Sequence, residues 1–166
     1  MKRTLAWTLV LSLALGALSG CAPGSAAPEP LSAQPIALTQ EELQAHDLEA
    51  PAVQSALTGF GLELLQKTRG AEESSVLLSP LSVALALGMA ANGSDGETRA
   101  QFEQVLGGGA GLDAVNAAYS ALLQVYQNGL GGSTECSIAN SVWADPEGQI
   151  FEEFIGKCQG IFDAQV

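Results

Sequence analysis

Groups able to do chemistry are few in this 166-residue chain, and they are scattered. The single histidine, His46, could in principle serve as a base or a metal ligand. An activated nucleophile, however, needs a base within hydrogen-bond reach and an acid to orient that base. His46 lies in or near a proline-rich stretch with no such partners around it, which suits a solvated side chain. Paired acids occur at Glu41-Glu42, Glu72-Glu73 and Glu152-Glu153. Acids adjacent in sequence are typical of solvated faces and helix starts. The three cysteines, Cys21, Cys136 and Cys158, form no cluster with metal-ligand spacing. No enzyme activity and no cofactor is expected; a secreted hydrolase is the weakest reading.

Cys21 is the exception, because of what precedes it. Lys2 and Arg3 are followed by 14 uncharged residues, Leu5 to Leu18. That run is short for a membrane span, which needs about 20 apolar residues. It fits the apolar part of a secretory signal, about 7–15 residues long. Leu18-Ser19-Gly20-Cys21 then resembles the lipobox of bacterial lipoproteins, with small residues that let a peptidase reach the bond before the cysteine. The resemblance implies that residues 1–20 are a signal peptide and that Cys21 carries a diacylglyceryl group as the new N-terminus. Acyl chains contribute about 0.8 kcal/mol per buried CH₂, so two or three anchor stably. The expected location is the outer face of the bacterial cell membrane, or the periplasmic or extracellular space. The competing reading is an ordinary signal peptide with an incidental cysteine.

The charge excludes other partners. It is −12 overall and becomes −14 once Lys2 and Arg3 are removed. Such a surface repels phosphate backbones, so no nucleic acid is expected. Attraction to anionic lipid is excluded too, which leaves membrane attachment to the lipid on Cys21. Residues 21–51 hold five of the seven prolines among Ala, Ser, Gly and Glu, a composition that predicts a semi-extended tether.

The elements that must position everything else begin at Ala52. Val53, Leu57, Phe60 and Leu64 recur on one helix face, and Gly70 stops it. Ser75-Val76-Leu77-Leu78 reads as a short buried strand. Ser79 is placed to cap the next helix, with Pro80 in its first turn. Leu81 to Ala91 is apolar almost all round, which demands a central position. Ser94-Asp95-Gly96-Glu97 has capping-box spacing, and the helix it opens should turn Phe102, Val105 and Leu106 inward. Asp113 can cap a helix facing inward through Val115, Tyr119, Leu122 and Val125 or Tyr126. Glu135 to Trp143 alternates with period two, with Cys136, Ile138, Asn140 and Val142 on one side, as in a strand. Phe151, Phe154, Ile155, Cys158, Ile161 and Phe162 stripe a last helix, and a further strand starts near the C-terminus. Cys136 and Cys158 both point inward, as a disulfide in an oxidising compartment or as two separately buried thiols; spacing alone does not decide.

These elements do not close a sheet, and a helix as apolar as 81–91 needs more cover than they supply. The fold class expected is α+β, with two or three strands and an incomplete sheet.

The order of elements, and three stretches within it, resemble the opening of the serpin (serine protease inhibitor) fold. The stretches are Val76-Leu77-Leu78-Ser79-Pro80-Leu81-Ser82, Leu87 to Thr98 through Asn92-Gly93-Ser94, and Ile138-Ala139-Asn140-Ser141-Val142-Trp143. Phe151 to Val166 is similar to the helix and strand that follow. Residues 52–166 are thus expected to be a partial serpin-like domain. The resemblance implies a parent protein whose reactive loop is cleaved by a target serine or cysteine protease and inserts into the central sheet. Loop, hinge and insertion slot lie downstream of these residues, so no bait residue is carried over and this chain is not expected to inhibit alone. What the resemblance does carry is the shutter region beneath the sheet, with Ser79, Ser82 and Asn140 in matching positions. A simpler role is available for each: Ser79 as a helix cap and Asn140 as the partner of a buried backbone group. Some serpins bind heparin through a basic helix at the position of 112–128. No Lys or Arg occurs between Arg99 and Lys157, so no such polyanion is expected. The alternative to an inhibitor fragment is a non-inhibitory binding module completed by a partner chain.

Overall fold

The computed structural model describes residues 29–47, 49–69, 75–128, 136–145 and 147–166. Cys21 and the expected signal peptide lie outside the described residues. The chain divides into Met1–Pro30 and Leu31–Val166. Of the first unit only Glu29 and Pro30 are described, both exposed and without regular structure.

In the second unit, helices α1 (Gln40–Ala45) and α2 (Ala50–Thr68) are followed by α3 (Pro80–Asn92), α4 (Gly96–Gly107) and α5 (Leu112–Gln127). Strand β1 (Asn140–Ser141), helix α6 (Glu152–Phe162) and strand β2 (Ala164–Gln165) complete it. The two strands pair in parallel, Asn140 opposite Ala164 and Ser141 opposite Gln165. A parallel pair requires a crossover, and α6 provides it. The observed class is the expected one: mostly helix, with a short incomplete sheet.

The core lies where α3 meets the helices around it. Leu85 and Met89 of α3 join Val53 of α2, Leu106 of α4, Val115, Tyr119 and Leu123 of α5, and Cys158, Ile161 and Phe162 of α6. The α3 backbone comes so close to α6 that a Cβ on Gly88 would sit 2.9 Å from the Phe162 ring. The central placement expected for this helix therefore holds, and Ala84, Leu85, Gly88, Met89 and Ala91 are buried. Ala86 and Ala90 remain exposed, so one side of a helix apolar all round is uncovered among the described residues.

Several local expectations are corrected. The tether expected up to residue 51 is not extended throughout. Thr39 and Glu42 form a capping box that starts α1, and their hydrogen bonds hold the Glu42 carboxyl below the usual range. Pro51 sits in the first turn of α2, where its missing N–H costs nothing. Ser75 to Leu78 forms no strand, and Leu77 is 100% exposed. A strand exists only through a ladder, and these residues have no ladder partner among the described ones.

At the start of α4 the cap is Asp95, whose side chain accepts from the Gly96 N–H at 2.8 Å, while Ser94 donates back to the Ala91 carbonyl. Ser94 is thus spent on closing α3. The start of α5 has no capping side chain of its own; Glu103 on α4 accepts from the Leu112 N–H at 3.1 Å, and Asp113 lies within the first turn. Val105, Val125 and Phe151 are exposed rather than inward. The first two fall off the faces carried by Phe102 and Leu106 and by Tyr119 and Leu123, and Phe151 is the extended N-cap of α6, before helical spacing applies.

Candidate functional site

Ser79 and Ser82 occupy the turn into α3. Ser79 has extended backbone, Pro80 follows with its φ preset for the first helical turn, and the Ser79 Oγ accepts from the Ser82 N–H at 3.4 Å. The two hydroxyls are 2.8 Å apart, one donating to the other. Both side chains are exposed. The pair is therefore a preorganised hydroxyl ledge at a helix start, with no base beside it in these contacts.

Asn140 is placed by the alternation of its strand, with Cys136, Ile138 and Val142 half-buried on the same side and Ser137, Ala139 and Ser141 exposed. Its Nδ2 donates to the Phe162 carbonyl at 2.7 Å. That carbonyl belongs to the last turn of α6, where acceptors have no intrahelical donor. The chain then turns at Asp163, the sole non-glycine with positive φ (51°) among the described residues, and Gln127 of α5 donates to the Asp163 carboxylate at 2.8 Å. Aspartate tolerates this left-handed backbone better than most residues. Asn140 thus ties β1 to the helix end that launches β2. It shares no hydrogen bond with Ser79 or Ser82, so the three residues singled out by resemblance make two separate arrangements here.

Sequence reasoning missed the strongest polar arrangement in the core. Asn92 at the end of α3 and Asn116 in α5 exchange amide hydrogen bonds of 2.8 and 2.9 Å, and Asn92 also donates to the Gly88 carbonyl. Asn116 is only 3% exposed. Each amide offers a donor and an acceptor, so the pair satisfies itself across a helix interface. An asparagine inside an apolar helix is the available signal, but its partner lies 24 residues away and spacing does not reveal it.

The thiols are free, with Cys158 buried and Cys136 half-buried. Burial pushes the Cys158 thiol up to about 11 and the Tyr119 phenol up to about 12. Neither ionises near neutrality, so neither is an activated group. His46 Nδ1 lies 2.6 Å from Glu49 Oε2, in a cleft shared with Arg99, Glu103, Asp113 and Lys157. Among the described residues no serine, threonine or cysteine lines that cleft, so the histidine–carboxylate pair has no hydroxyl or thiol beside it there.

Comparison with curated proteins found no match, and neither did comparison with solved structures. The serpin (serine protease inhibitor) family model matches residues 55–166, which run from the first turns of α2 through β2. The matched span includes Ser79, Ser82 and Asn140, the crossover from β1 to β2 and the whole apolar core outside Val53. On that match, which covers most of the sequence, the chain belongs to the serpin family.

Proposed function

We propose that these residues form the opening part of an exported, lipid-anchored serpin that inhibits serine or cysteine proteases by inserting a cleaved loop into its central sheet. The carrying observation is the family match across α2 to β2, together with a parallel sheet that has two strands among the described residues. Loop insertion needs a sheet whose strands part, and β1–β2 alone offers no such slot. On this reading the 166 residues are not inhibitory by themselves. They supply the helical support and first strands, with Ser79, Ser82 and Asn140 forming the shutter that a moving strand passes. The signal peptide and the lipid on Cys21 rest on residues 1–21 of the sequence. On this reading the parent protein sits on the outer face of the membrane.

Three experiments test this. Residues 22–166 mixed with serine proteases are expected to give no SDS-resistant complex and no stoichiometric inhibition; inhibition by this segment would overturn the fragment reading. Genomic sequence past codon 166 is expected to encode the remaining sheet and reactive loop. Metabolic labelling with a fatty acid, lost in Cys21→Ser, tests the anchor.

A second reading is favoured by one observation: Leu77, Trp143 and Phe151 are all highly exposed around the short sheet and the α3 entrance. A non-inhibitory module that another chain completes would present such residues. Cooperative unfolding of residues 22–166 as a monomer would count against it.

A further inference from the structure

Gly156 and Gly160 stand one turn apart on α6, and the backbone of Gln34 to Ala37 crosses directly over them. A Cβ on Gly156 would lie 2.7 Å from the Gln34 carbonyl oxygen, and one on Gly160 would overlap the Ile36 carbonyl. Only glycine admits this approach. The crossing is held by backbone groups. The Ile36 N–H donates to the Gly156 carbonyl at 2.9 Å and the Leu31 N–H to the Val166 carbonyl at 2.6 Å. Gln159 Nε2 donates to the Leu31 carbonyl at 3.1 Å. Pro35 keeps Gln34 extended at the crossing. Side chains add to it: a Cβ on Gly156 would also lie 3.0 Å from the Ile36 Cγ1, so the Ile36 side chain rests on the groove, while Leu31, Ser32, Gln34, Pro35 and Ala37 are exposed.

The Gln165 carbonyl accepts from the Val142 N–H at 2.8 Å and so faces β1, and Leu31 meets the next residue, Val166. Among the described residues β2 pairs with β1 and with no other strand, so one edge of β2 carries no strand.

We infer that Leu31–Ala37 is a releasable clasp, seated in the Gly156–Gly160 groove, that closes the outer edge of the sheet at β2. An open edge is a template for adding another strand. The clasp occupies that edge with a segment of the same chain, at high effective concentration. Because it is fastened by a few hydrogen bonds and by the Ile36 side chain on the groove, with none of its residues in the buried core, it opens without unfolding that core. The inference does not depend on lipid anchoring or on inhibition.

Hydrogen exchange of the full-length chain, read by mass spectrometry, tests it. In the wild type, the Leu31 and Ile36 amides are expected to exchange at least about tenfold more slowly than an unstructured chain. Gly160→Val fills the groove, and Ile36→Pro removes a donor while leaving α6 untouched. Both are expected to abolish that protection with α3 and α5 unchanged, whereas Gly59→Ala, with open space around it, keeps it. Sedimentation of the two clasp variants should show self-association above the wild-type level. Unprotected Leu31 and Ile36 amides in the wild type, or protection retained in Ile36→Pro, would overturn the clasp. Release without any added association would overturn its edge-closing role.

Discussion

The Asn140 side-chain amide donates to the Phe162 carbonyl at 2.7 Å, joining β1 to the last turn of the helix that leads into β2. This one bond spans both ends of the crossover, so the register of the parallel pair and the end of α6 are set together. Asn140→Ala leaves a part-buried carbonyl without its donor and is expected to cost about 1–3 kcal/mol in urea unfolding. Asn140→Asp puts a carboxylate against that carbonyl at the negative end of the helix dipole, and should cost more. Its extra loss should shrink in acid, where the introduced carboxyl becomes protonated and can donate.

The Asn92–Asn116 pair should behave as a unit. Either single alanine substitution strands the remaining amide in the α3–α5 interface, and each is expected to cost about 1–3 kcal/mol. The double variant should cost clearly less than the two losses combined, with a coupling energy of about 0.5–3 kcal/mol. Additive losses in the double-mutant cycle would show that the two amides act independently.

The two serines of the α3 entrance should separate. Ser79→Ala removes the acceptor of the Ser82 N–H, a cap loss of about 0.5–2 kcal/mol. Ser82→Ala keeps that cap and loses only a solvent-exposed hydroxyl contact, so its effect on unfolding should stay within about 0.5 kcal/mol. Equal losses would show that the bond between the hydroxyls, rather than the cap, holds this turn.

Alkaline pH should destabilise the fold in two steps. Burial raises the Cys158 thiol from 9.0 to about 11 and the Tyr119 phenol from 10.0 to about 12. The unfolded chain therefore loses each proton first, and stability falls as pH rises from about 9 to about 12, being fully present below 9. Tyr119→Phe should remove the upper part of that fall. The Tyr119 hydroxyl is buried with no hydrogen-bond partner among the described residues. At neutral pH the same substitution is thus expected to be neutral, or stabilising by up to about 1 kcal/mol. Thermal melts from pH 7 to 12 check both statements.

Much of the framework was legible in the residues alone. Period 3.6 placed the helices around Val53, Tyr119 and Phe162, an all-round apolar run placed the central helix 81–91, and period two placed Cys136, Ile138, Asn140 and Val142 on one side of their segment, because burial writes its geometry directly into side-chain spacing. Ser79-Pro80 announced a helix start for a reason wholly local to the turn. Family membership was legible in the ordered short stretches around Ser79, Asn92 and Asn140, which the match over residues 55–166 supports. What only the tertiary structure decided are relations between residues distant in sequence. Local spacing holds no record of whether Leu77 finds a ladder partner, of Asn92 meeting Asn116, of Glu103 capping the start of α5, or of Gly156 and Gly160 lying beneath Gln34–Ala37. Those pairings arise when separate helices are brought together, and the energy of each depends on a partner whose position the local sequence does not set.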